Sequence, residues 1–170
     1  MPLKKPKDLP KIPKARQKKA ENALAAIPEP KEDKIEYKCK AFFDYDNTTK
    51  KQYVVFAIET TAEFTSFVYE VSLDVIKDKR EILVVLMGLK ALTNMAPNVQ
   101  PARTEIPFED LVGDYTVKVV KQDGAINAAD YKINLFKKEI KLLKEYKPKK
   151  KNNRLFCKFE VAEDEFRFGG

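Results

Sequence analysis

The chain has 170 residues, 44% apolar and 35% charged, and carries a net charge of +7. That length suits one domain of ordinary size with an extension, and a body of roughly 130 residues buries a core without staples. Histidine is absent, which removes the commonest general base and the most frequent zinc ligand together; no enzyme activity, metal, cofactor or small-molecule substrate is expected.

Residues 1–20 hold eight Lys/Arg and one acid, a net +7 equal to that of the whole chain. Pro2, Pro6, Pro10 and Pro13 bar a continuous helix over the first dozen residues. A helical stretch is predicted over Lys14 to Ile27, where Ala20, Ala23, Leu24 and Ile27 form a narrow apolar stripe. Residues 1–33 are read as a basic extension ordered by a partner, and 34–168 as the folded domain. The candidate contacts on the extension are Lys4, Lys5, Lys7, Lys11, Lys14, Arg16, Lys18 and Lys19, with Leu9, Ile12, Leu24 and Ile27 as apolar anchors.

From Ile35 the apolar period changes to two. Ile35, Tyr37, Cys39, Ala41 and Phe43 predict a half-buried strand, followed by turn chemistry at Asp44–Thr49. Tyr53 to Glu59 and Phe67 to Val75 predict two more strands, and Ile82 to Leu89, apolar on both faces, a central one. Arg103 to Phe108 is read as an edge strand because Pro107 cannot donate to a ladder. Strands around Tyr115–Val119, Tyr131–Leu135 and Leu155–Val161 complete the series, the first ending at Asp123-Gly124. Between the last two, the helical spacing of Phe136, Ile140, Leu143 and Lys147 predicts a short helix over 136–146, with a hairpin arm as the alternative.

Seven or eight short strands without intervening helices predict a mainly β protein, a single antiparallel β-sandwich. The run Leu111-Val112-Gly113-Asp114-Tyr115-Thr116-Val117-Lys118-Val119 resembles the tyrosine-corner approach to strand F of immunoglobulin-like and fibronectin-III-like domains. The resemblance implies an Ig-like sandwich in which the Tyr115 hydroxyl bonds back to nearby backbone and Asp123-Gly124 turns an F–G hairpin. It covers about twenty-five residues, and the disulfide and buried Trp of antibody domains are absent.

A second basic segment, 137–154, sets nine cations against two acids, and Lys149, Lys150 and Lys151 are its candidate contacts at a loop tip. The same lysines could simply protect a sheet edge. Asp44, Asp46 and Asn47 begin like a calcium loop, but Val55 stands where a bidentate Glu is needed, so they read as a turn. Phe42, Tyr53, Phe56, Phe64, Phe67 and Tyr69 are read as core rather than as a base-stacking platform. Cys39 and Cys157 fall at inward positions and are expected to be buried and inert. Gly169-Gly170 reads as a flexible end.

No apolar stretch follows the basic start, and the longest apolar run, 82–89, is eight residues, too short to span a membrane; a cytoplasmic location is expected. The sequence thus reads as a non-enzymatic accessory or structural subunit of a larger assembly, docking on partner proteins through its extension. The alternative is an RNA- or ribosome-associated protein whose extension contacts phosphates. An anionic membrane surface ranks behind both.

Overall fold

The computed structural model describes residues 32–149 and 153–169. They form nine strands: β1 (Tyr37–Asp46), β2 (Lys51–Phe64), β3 (Val68–Asp78), β4 (Glu81–Leu92), β5 (Gln100–Phe108), β6 (Gly113–Val120), β7 (Ile126–Asn134), β8 (Glu139–Tyr146) and β9 (Cys157–Val161). A single 3-10 turn, Glu163–Glu165, follows. The strands make two sheets, ordered β5-β2-β1-β9 and β3-β4-β6-β7-β8. No helix among the described residues is long and apolar enough to cross a membrane.

One core lies between the sheets because the period-two residues of both point inward. Cys39, Ala41 and Phe43 of β1 and Phe56 and Ile58 of β2 meet Ile82 and Val84 of β4, Val117 and Val119 of β6, and Tyr131 and Ile133 of β7, all nearly or fully buried. Tyr131 stands edge-on to Phe56 at 5.4 Å and to Phe159 at 6.4 Å. Both cysteines are buried and free, as expected of their inward phase, and burial pushes the Cys39 thiol up to about 12. Of the six aromatics read as core, Phe42 and Phe56 are buried and Tyr53, Phe64 and Tyr69 pack partly buried. Phe67 is the exception, half exposed on the β2–β3 loop.

The sandwich is mainly antiparallel, with two departures from the expected pattern. β9 runs parallel to β1, pairing Cys39 with Phe159, and β6 runs parallel to β4, pairing Ile82 with Val117. As expected, β5 with Pro107 is an edge strand and β4 lies inside its sheet. The outer face of β4 carries half-buried Leu83 and Val85, so only its inner face reaches the core.

The short helix expected over 136–146 is a correction. Leu135–Lys138 forms a turn closed by the Lys138 amide on the Leu135 carbonyl (3.1 Å), and Glu139–Tyr146 returns antiparallel to β7. Tertiary packing overrides the helix propensity of Lys, Glu and Leu here. Extended backbone turns Ile140 inward into the core and Leu142 against it, opposite Ile133 and Tyr131.

The tyrosine-corner expectation is corrected in part. Gly113 does open β6 at φ +92° and Asp123-Gly124 does turn the β6–β7 hairpin. Tyr115 is buried, with Lys77 and Arg80 over its ring, but its hydroxyl has no hydrogen-bond partner among the described residues. The tyrosine hydroxyl that does tie backbone is that of Tyr131, which donates to the Glu160 carbonyl at 3.2 Å. In urea denaturation, Tyr131→Phe should therefore cost about 1 kcal/mol and Tyr115→Phe should stay within about 0.5 kcal/mol of the parent. The reverse order would restore the corner.

After β9 the chain continues along the same edge of β1 through the 3-10 turn, the Ala162 amide donating to the Ala41 carbonyl at 2.9 Å. Phe166 covers Phe42, Val55 and Ala57, and Ala162 joins that small cluster. The Arg167 amide donates to the Phe43 carbonyl at 2.9 Å, and the rings of Phe166 and Phe168 lie 5.1 and 5.2 Å from that of Phe43. Gly169, read from sequence as part of a flexible end, sits against the Tyr45 ring so closely that a Cβ would fall 2.4 Å from it.

Candidate docking surface

Glu32 begins the described chain beside the β8–β9 connection. The Lys34 amide donates to the Leu155 carbonyl (3.0 Å), and the Leu155 amide donates to Asp33 (2.8 Å). Residues 1–31 are covalently joined to the sandwich at this point. Lys147 and Lys149, both exposed, lie on the same connection. Asn153 fixes it by mimicking a strand partner of Ile126: its Oδ1 accepts from the Ile126 amide at 2.9 Å and its Nδ2 donates to the Ile126 carbonyl at 3.0 Å.

Beneath the connection lies a charge cluster. Arg154 is only 4% exposed, and its Nη2 reaches Glu36 at 3.4 Å and Asp123 at 3.3 Å. Lys121 pairs with the same Glu36. Burial alone would raise the Glu36 carboxyl, but Lys121 and Arg154 outweigh it and hold the group below the usual glutamate range. The Ala125 amide, helped by Arg154 and Lys121 against the opposing effect of burial, does the same for Asp123. Nε and Nη1 of Arg154 have no partner among the described residues.

The β7–β8 hairpin carries the second basic segment up the side of the sandwich. Lys132, Lys137, Lys138, Lys141, Lys144, Lys147 and Lys149 are all exposed. Lys132 stands directly across from Lys141, a repulsive pairing. Lys141 meets Glu139 at 3.1 Å; the other six have no carboxylate within 4.0 Å among the described residues. The remaining acids of the hairpin are held by uncharged donors instead. Asp130 accepts from the hydroxyls of Thr116 (2.6 Å) and Tyr146 (2.5 Å), and Glu145 accepts from the Phe159 amide (3.0 Å). At the hairpin tip Phe136 is 93% exposed.

A shallow hollow of about 540 Å³ lies beside this hairpin between Arg80, Lys118 and Tyr146. Lys79, Arg80 and Lys118 line it together with the carboxylates of Asp78 and Glu81 and with Tyr146, so both signs of charge meet there. Among the described residues no group of His, Cys, Asp or Glu could hold a metal. Asp46 serves as a turn cap, accepting from the Thr48 amide at 2.8 Å, as its sequence context implied.

Of the sequence-predicted contacts, only Lys149 lies among the described residues, exposed on the connection that meets Asp33 and Lys34. Lys150 and Lys151 fall outside them, as do Lys4, Lys5, Lys7, Leu9, Lys11, Ile12, Lys14, Arg16, Lys18, Lys19, Leu24 and Ile27. Sequence reasoning missed Lys132, which belongs to a different predicted strand, and the exposed Phe136 and Leu143. The signal for these was the hairpin alternative, which puts 132 and 141 side by side. Comparison with family models, with curated proteins and with solved structures gives no match.

Proposed function

We propose that this protein is a non-enzymatic accessory subunit of a larger assembly, with the sandwich as a rigid body and residues 1–31 as the docking element for an acidic partner protein. The observation that carries this reading is the row of exposed lysines on the β7–β8 hairpin, most of them without a carboxylate within 4.0 Å among the described residues. The chain leaves for the basic extension beside Asn153–Leu155, where the second basic segment also arrives through Lys147 and Lys149. Lys147 and Lys149 thus put exposed positive charge on the folded body itself, which an anionic partner meets there. An Ig-like assignment is part of the proposal. It is supported by the antiparallel run β1-β2-β5 and by the β6–β7 hairpin after Gly113, while the parallel β4–β6 contact departs from that type. A cytoplasmic setting accords with two free thiols.

The same lysines support a second reading, contact with RNA phosphates. Salt dependence separates the two. Phosphate contacts make log K fall by about 0.7 per contact against log salt, so five contacts give a slope near −3.5 with single-stranded RNA. A protein groove gripping Leu9, Ile12, Leu24 and Ile27 gives a shallow slope and weakens on Leu24→Ala. The shallow outcome is expected, because those apolar residues are surplus to phosphate binding. A steep slope indifferent to Leu24→Ala replaces the first reading with the second. Pull-downs with and without nuclease read the same alternative: partners that survive nuclease support the assembly subunit.

A further inference from the structure

We propose that the free edge of β8 is a strand-addition site for an extended, acidic segment of a partner protein. The inference stands on the folded body alone and does not depend on what the basic extension binds.

The edges of the two sheets are treated differently. Along β9, Asn127 accepts from the amides of Phe156 (2.8 Å) and Cys157 (2.9 Å), and Glu145 accepts from that of Phe159 (3.0 Å). β3 and β5 meet at the opposite seam, where the Thr104 hydroxyl donates to the Val71 carbonyl at 2.6 Å. β8 is the last strand of its sheet, and no side chain or second strand among the described residues bonds to its outward backbone. An uncovered row of donors and acceptors is a template for another extended chain.

The side chains of this edge state what that chain must be. Lys141 and Lys144 project on the outer face of the sheet, in line with Lys132 and Asp130 of β7. Leu143, 52% exposed, occupies the bulge between them, and Phe136 caps the tip. Lysines and a bulge on an edge repel a second basic strand, so they work against self-association through β8. Lys144 has no carboxylate within 4.0 Å among the described residues, and Lys141 meets only Glu139 of its own strand (3.1 Å). Both therefore pair favourably with carboxylates on an added strand, while those of Asp130 and Glu145 are already engaged by Thr116, Tyr146 and Phe159. Exclusion of like edges and selection of an acidic one follow from one set of residues.

The test uses the full-length protein and a labelled ten-residue peptide alternating glutamate with valine and threonine. Its controls are the same peptide N-methylated at alternate residues, an oligouridylate of twenty nucleotides, and phosphatidylserine vesicles. Strand addition predicts saturable binding of the unmodified peptide, slowed hydrogen exchange in fragments covering 139–146 and at least tenfold weaker binding of the N-methylated peptide. A Lys141→Glu/Lys144→Glu variant with unchanged thermal melting should also lose at least tenfold. Equal binding of both peptides would reduce the edge to a charged patch and overturn the proposal. So would the absence of peptide binding, protection away from β8, or oligouridylate or vesicles binding more tightly than the peptide through the same lysines.

Discussion

Asn127→Ala is expected to destabilise the protein by about 3–5 kcal/mol, because it strands three buried backbone groups at once. Asn127 is 1% exposed; its Oδ1 serves the Phe156 and Cys157 amides while its Nδ2 donates to the Arg154 carbonyl at 3.0 Å. The side chain belongs to one sheet and the three groups belong to the approach to β9 in the other. In a thermal melt this corresponds to a fall of roughly 10–20 °C for a body of this size. A loss below about 1 kcal/mol would show that β9 holds its place through β1, Tyr131 and Glu145 without help from Asn127.

Phe43→Ala should cost a similar amount, about 3–5 kcal/mol, through the cavity it opens in the core. It also has a local signature. Phe43 is fully buried, and the rings of Phe166 and Phe168 lean on it from the segment that follows β9 along β1. Loosening that segment would expose Arg167, whose side chain is already 78% exposed while its amide is held by the Phe43 carbonyl. Trypsin should cut after Arg167 well before it unfolds the body. Destabilisation with unchanged cleavage at Arg167 would assign the anchoring to Phe42 and Tyr45 instead.

Eight of the nine strands were legible because a half-buried strand writes its phase into every second residue, as in Cys39-Ala41-Phe43 or Val117-Val119. β8 was not, for a local reason: the bulge between its pairs with Asp130 and Tyr131 breaks the period of two at Leu143. What remained, Phe136, Ile140 and Leu143 among Lys and Glu, imitates a helix. The two parallel pairings were out of reach because they join segments far apart in sequence, and nothing local specifies register between them. Asn127 was in principle visible, a polar residue in the inward phase of Ala129, Tyr131 and Ile133. The covering of the outer face was signalled too, by Phe42 lying out of phase beside the apolar run of β2. Of the candidate contacts, the charge of the second basic segment was legible, whereas its placement on an open edge needed the hairpin.

The parallel pairing of β1 with β9 has a kinetic corollary. Cys39 and its partner Phe159 are 120 residues apart in the chain, and closing so long a loop favours slow completion of the fold. During synthesis β1 can pair with β2 as soon as both have emerged, but its other edge stays open until nearly all of the body has been made. Residues 1–31 are synthesised before any of this. A partner present at the ribosome would therefore meet the basic extension first and the closed sandwich only afterwards.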